Sequence, residues 1–555
     1  MGQVSLTPLG RPPAQIVALP RRRKSRRWKW IAGIALALLV LAVVVARIVV
    51  IRAQPILRTR VIETLSNRFK SRVELADLHV WVANGVHVDG KGLKIYGLTD
   101  PNPYEAGVQP LLEIGEFNFQ STVASLFREP MHVDTIFVTG LTMNIPPKND
   151  RKQVGNFRRN SGRMSIVVDH FVCKDTKLVI NTIKPGKAPL LFDISDLTMK
   201  DIGPDQPLRF EAVLVNPKPV GDIHSTGTFG PLNDTSPRDS AVSGDYSFTN
   251  ADLGTLKGIG GILSSTGHYS GELGRIEVNG ATDTPDFRLA VSGHPVPLHT
   301  DFHAIVDGTD GDTYLEPVNA RVLNSSFTAK GKIVRMKEPP GHDIELDVVL
   351  GKSNIEDLLK LGVKTEPQVM TGAVKMRTKL SLTPGKADVA DRLRLNGTFE
   401  IPRALFTSDK IQTRINSLSL RSRGQAKLAR DAAELTVTSD LQGRFMLANG
   451  VLQVPFLHFQ VPGTHADVTG QYSLDGNIFN FHGKLKLDAK LSQMTTGWKS
   501  ILLKPVDPFF HKNGAGAEVP FKITGTRTEP HFGLDFNHDK GDLSDHDASS
   551  FHNKQ

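Results

Sequence analysis

The chain has 555 residues, 39% of them apolar, and a formal net charge of +10 at pH 7. That length holds two or three ordinary domains, and a single cysteine, Cys173, excludes an intrachain disulfide, a zinc ribbon and a CxxC redox motif. Residues 1–60 carry 12 Lys/Arg and no Asp or Glu, which leaves 55 basic and 57 acidic side chains in all the rest. A nucleic-acid-binding protein carries its basicity on a folded surface, so no nucleic acid is expected as a partner.

Residues 1–29 read as a basic tail, whose flank is Arg21, Arg22, Arg23, Lys24, Arg26, Arg27 and Lys29. Residues 30–52 follow as a transmembrane anchor, with Trp30, Ile31, Leu36, Leu39, Val44, Ile48 and Ile51 along its length. As a helix, residues 31–51 rise about 31 Å, one hydrocarbon core. Arg47 lies near the exit and can snorkel. Trp28 and Trp30 stand at the position of an aromatic belt. The positive-inside rule puts the N-terminus in the cytoplasm and residues 53–555 across the membrane. A cleaved signal peptide is the alternative, but the apolar stretch is long for one and no A-x-A site follows it.

Residues 55–70 place Leu57, Val61, Leu65 and Phe69 on one helical stripe. Strand patterns begin at once after it, in RVELADLHVWV, GLKIYGL, EFNFQ and TGLTMNIP. Alternation is cleanest in FNFHGKLKLDAKL at 479–491, and recurs in IELDVVL at 344–350 and LTVTSDL at 435–441. Such strands have one wet and one apolar face. A loose glycine–x–aromatic or aliphatic repeat runs through them, as in GTF at 227 and 397, GDY at 244, GHY at 267 and GRF at 443. Glycine inside a strand marks a bend or a close backbone approach. Helices are expected only at 353–362, with a capping box from Ser353 to Glu356, and at 250–263. Residues 149–163 read as a basic loop.

Catalytic signatures are missing: there is no G-x-S-x-G, Walker loop or H-E-x-x-H. DGTDGDT at 307–313 lacks the distal glutamate of a calcium loop and reads as a polar hairpin turn. Cys173, in IVVDHFVC, reads as packing rather than as a nucleophile. The expectation is a non-enzyme without metal or cofactor.

The order of anchor, amphipathic helix and long alternating strands resembles the AsmA-like proteins of diderm bacterial envelopes. Residues 55–146 and 443–535 carry the resemblance, the second beginning with GRFMLANGVLQVPFLHFQVPGTHADVTGQYSLDG at 443–476, and the middle, with DLGTLKGIGGILSSTGHYSGELGRIEVNG, is similar too. It implies a mainly β fold, an elongated, curved antiparallel β-sheet groove with a chorein-like start. It also implies an inner-membrane protein facing the periplasm, with phospholipids and the inner membrane as partners. The implied activity is lipid transport between inner and outer membranes, in support of envelope integrity. Relatives such as TamB also imply an alternative, a scaffold for outer-membrane or other envelope proteins that uses strand edges.

The expected divisions beyond the anchor are 53–150 (helix plus β region), 151–350 (middle groove), 351–536 (C-terminal β region) and 537–555 (polar tail). At roughly 12 residues per strand and turn, the chain after the anchor makes about 40 strands, a sheet of at most about 190 Å. Leu141, Met143, Ile145, Leu457, Phe459, Phe479, Phe481, Leu485 and Leu487 are the candidate groove residues.

Overall fold

The computed structural model describes residues 72–83, 85–96, 109–122, 131–145, 166–181, 189–203, 206–231, 236–364, 366–473, 478–494, 516–526 and 529–535, with positions 36, 40, 41, 58, 59, 61–63, 65, 66 and 125 besides. The chain divides into two units, Met1–Val61 and Ile62–Gln555. In the first, Leu36, Val40 and Leu41 are helical. The rest of the expected anchor and its positive flank lie outside the described residues. Among the described residues no helix is long and apolar enough to cross a membrane. Residues 58, 59, 61–63, 65 and 66 are helical, within the helix expected over 55–70.

The second unit is built on one open, curved sheet with 26 strands among the described residues. In chain order they are β1 Val73–Ala83, β2 Gly85–Ile95, β3 Leu112–Ser121, β4 Met131–Ile145, β5 Ile166–Ile180, β6 Leu190–Ile202, β7 Leu208–Pro217, β8 Val220–Phe229 and β9 Ala241–Asp252. Then come β10 Ile259–Gly260, β11 Ile262–Glu272, β12 Arg275–Leu289, β13 Val296–Val306, β14 Thr313–Val322, β15 Ser325–Met336, β16 Gly341–Leu350, β17 Ser353–Asn354 and β18 Met370–Thr371. The last are β19 Ala373–Leu382, β20 Leu393–Phe406, β21 Ser439–Ala448, β22 Val451–Val461, β23 Thr464–Ser473, β24 Ile478–Leu487, β25 Ala517–Thr526 and β26 Pro530–Leu534.

The two-residue strands β10, β17 and β18 are side pairings on β12, β19 and β20. All the others pair in chain order, with β9 joined to β11 and β16 to β19. Every junction of this series is antiparallel except β4–β5, which is parallel. A parallel pair needs a crossover connection rather than a hairpin, and the residues between these strands lie outside the described ones. Counted across the long strands at about 4.8 Å each, the sheet has a contour of about 110 Å. Against the expected 40 strands, the described residues hold 26, seven of them 12–15 residues long. The sheet continues through the expected division at 350, where β16 pairs with β19.

Four further expectations change. Residues 250–263 are not a helix: β9 runs to Asp252, a 3-10 turn covers Leu253–Thr255, and β11 starts at Ile262. Asp252 caps that short turn through Gly254 N, and glycines at 258, 260 and 261 then favour extended backbone over helix. Helix α1 forms at Ile355–Gly362, but without the capping box. Ser353 Oγ instead donates to Ser326 O, and Glu356 accepts from Gly372 N. Residues 435–438 are not strand, since a 3-10 segment at Leu428–Glu434 precedes them and β21 begins at Ser439. The strand expected over 479–491 ends at Leu487, where Asp488 N and Ala489 N turn to Gly463 O and Ser422 O. Besides a single helical turn at Val389–Arg392, a longer helix, α2 Asp409–Ser422, has no counterpart in the sequence reading. The basic loop and the polar tail lie outside the described residues.

Candidate functional site: a continuous apolar trough

Paired residues on neighbouring strands share a face, and successive residues alternate between faces. The register therefore sorts the whole sheet into two surfaces. One row of paired positions runs without a break from Val80 on β1 to Pro530 on β26. It passes through Phe119, Phe171, Phe210, Tyr269, Leu315, Leu380, Leu447 and Phe479, and no member is charged. None of its large side chains is exposed, although among the described residues no second sheet covers them. Shielding without a cover means that this face is the concave one.

Eight of the nine sequence candidates fall on that face; on β4, Gly140 at φ +70° interrupts the alternation, so that Leu141 and Met143 join Val138 on it. Leu141 and Met143 pair with Ile114 and Leu112 on β3, and Leu141 packs with Val138 and Cys173. Ile145 pairs with Ile180. Leu457 and Phe459 pair with Val468 and Ala466, and the latter with Leu485. Phe481 pairs with Ile523, and Leu487 with Ala517. Phe479 stacks on Tyr472 with ring centroids 5.1 Å apart. Leu487 lies at the strand end and is buried, whereas Phe479, Phe481 and Leu485 are half-buried along the floor.

Polar groups on this face are neutral and bonded to one another. Tyr269 Oη lies 2.7 Å from Ser225 Oγ, Tyr246 Oη 3.0 Å from Ser265 Oγ, and Thr282 Oγ1 2.6 Å from Thr300 Oγ1. Burial pushes both phenols above their ordinary pKa, so they stay neutral. Burial raises the Cys173 thiol likewise, which fits packing and not nucleophilic attack.

The opposite face is charged and self-paired. Cross-strand ion pairs link Lys91 to Glu116 at 2.7 Å, Lys94 to Glu113 at 2.9 Å and Lys332 to Glu345 at 3.1 Å. His458 bonds Asp467 at 2.7 Å and His482 bonds Asp535 at 2.6 Å. Hydrogen bonding from His458 holds the Asp467 carboxyl below the usual carboxylate range. At β4 and β5, His132 Nε2 lies 2.9 Å from Asp169 and 3.7 Å from Asp134. In the β13–β14 connection, Asp307 accepts from Thr309 N and pairs with Arg238, and Asp312 N donates to Asp310. These carboxylates serve the turn, as expected of a polar hairpin.

The trough is also bridged. Lys257 lies between β9 and β11, at one rim of the sheet. Lys386 lies between β19 and β20, at the other rim. In a flat sheet they would be about 50 Å apart, yet Lys257 Nζ donates to Lys386 O at 3.1 Å. A Cβ placed on Gly258 would be 3.4 Å from Val389 Cβ. The sheet therefore coils until its two rims touch over β11–β19. Neither this contact nor the hydroxyl pairs were legible as local patterns.

Comparison with protein-family models, curated proteins and solved structures finds no match.

Proposed function

We propose that the chain is a lipid-handling protein that holds phospholipid acyl chains in the trough and assists their movement between the inner and outer membranes of a diderm envelope. The uncharged row from Val80 to Pro530 carries this reading. An apolar surface of that extent calls for a nonpolar partner. An acyl chain gains about 0.8 kcal/mol per buried CH₂, and the gain is nearly the same at each strand, so displacement along the floor is close to neutral. Headgroups stay in water at the open edge. No bond is made or broken, which accords with the lack of a catalytic signature. The basic flank and apolar stretch at 21–52 would anchor the chain in the inner membrane. A scaffold acting by strand addition would use the end strands: β26 has five residues and includes Pro530, which disfavours addition there, whereas β1 offers an eleven-residue edge paired on one side only.

The test is native mass spectrometry and lipid extraction on the full chain, purified gently. Stoichiometric phospholipid is expected. Phe481→Asp with Leu485→Asp puts charge on the floor of β24 and is expected to lower the lipid content while the strand-rich circular dichroism persists. Lipid content unchanged by that pair would overturn the assignment.

A further inference from the structure

Residues 409–435, which comprise α2 and the segment after it, hold six Lys/Arg against Asp409, Asp431 and Glu434, in a chain whose residues beyond position 60 are near neutral. Helix α2 is fixed across the ends of β20–β24. Gln412 accepts from Phe406 N, Ser419 Oγ donates to Pro462 O at 2.7 Å, and Ser422 O accepts from Ala489 N. Its inward side buries Ile415, Asn416, Ser419, Leu420 and Ser422. Its outward stripe carries Lys410, Arg414 and Arg421, at helical spacings of four and seven.

Two observations point to a ligand for this surface. First, its cations cluster without carboxylate partners among the described residues, whereas on the charged face of the sheet twelve strand cations are ion-paired, among them Lys91, Lys94 and Lys332. Among the described residues no carboxylate pairs with Lys410, Arg414, Arg423 or Lys427. Second, large apolar side chains stand exposed beside them: Ile411 at 42%, Leu428 at 57% and Leu435 at 43%. Unpaired cations interleaved with exposed aliphatic residues match a bilayer interface, where phosphates meet the cations and acyl chains meet the aliphatic groups. A soluble polyanion would satisfy only the cations.

We propose that α2 and the segment to Leu435 form a docking surface for an anionic lipid bilayer, at the rim of the trough and near the C-terminal end of the sheet. The proposal stands on this surface alone and would hold for an empty trough.

The test uses the full chain in nanodiscs of phosphatidylcholine, offered to immobilised vesicles of phosphatidylcholine with or without phosphatidylglycerol. Capture by the anionic vesicles is expected, weakening as salt shortens the screening length. Lys410→Glu, Arg414→Glu and Lys427→Glu together are expected to weaken it at least about tenfold. The basic N-terminal flank is common to both proteins, so the difference isolates α2. These side chains are exposed, and an unchanged melting temperature checks the fold. Ile411→Ser with Leu428→Ser keeps every charge and is expected to weaken capture as well. Equal capture by neutral and anionic vesicles, or capture unchanged in the triple variant, would overturn the proposal. Lipid content of the trough is a separate readout, so failure here leaves the lipid-handling reading to its own test.

Discussion

Gly90 faces Phe117 across β2–β3, and a Cβ at Gly90 would lie 2.1 Å from Phe117 Cζ, with that ring the nearest obstacle. The same relation recurs reciprocally elsewhere. Gly397 faces Phe445 while Phe399 faces Gly443, and Gly244 faces Tyr269 while Tyr246 faces Gly267. Glycine–x–aromatic is thus a pairing rule between strands, in which a ring from one strand lies over the glycine of the next. It keeps bulk off the concave face, where space is scarcest, and lays the rings along the floor. Gly90→Ala is expected to cost about 1–3 kcal/mol by overpacking. In a Phe117→Ala background the same change is expected to cost almost nothing, because the obstructing ring is gone. Urea unfolding of the four proteins checks this; equal costs in both backgrounds would reject the pairing rule. The repeat was visible in the sequence, but its partner residues sit on other strands, so its meaning was not.

At the scale of elements, α2 shows how a rim is fastened. Asn416 is 1% exposed and its amide joins three segments. Nδ2 donates to Ala432 O and Leu435 O, and Oδ1 accepts from Val437 N and from Gln412 Nε2. Asn416→Ala would strand buried donors and acceptors, at about 1–3 kcal/mol for each group left without a partner. The expected result is a lowered unfolding midpoint, with the 409–435 segment exchanging amide hydrogens faster than the strands. Uniform exchange across the chain would mean that Asn416 is not the fastener. Helix α2 was missed, although its own residues carry the signal: Ser408 precedes it, Ile411, Ile415 and Leu418 keep helical spacing, and Gly424 follows it. The apparent alternation at 435–441 was a false lead, since four residues at strand spacing do not outweigh the packing of the preceding 3-10 segment. The long strands were legible because one face is wet throughout. The shortened end of β24 was not, because α2 and the β22–β23 turn decide it.

For the whole molecule, alternation established which residues share a face, and nothing local could establish how far the sheet coils. Coiling is the sum of small twists over many strands. Its consequence is the contact of the rims at Lys257 and Lys386. The Cβ separation of 3.4 Å at Gly258 and Val389 is close to the spacing of a disulfide. Gly258→Cys with Val389→Cys is therefore expected to oxidise to one intramolecular bond, seen as a mobility shift on non-reducing gels. If lipid moves along the floor with its headgroup at the open edge, the rim contact lies across its path. It must open for each passage. Pinning it is then expected to leave lipid bound on either side but to slow transfer from donor to acceptor vesicles, with reductant restoring the rate. Transfer at the same rate in oxidised and reduced protein would show that headgroups pass without parting the rims.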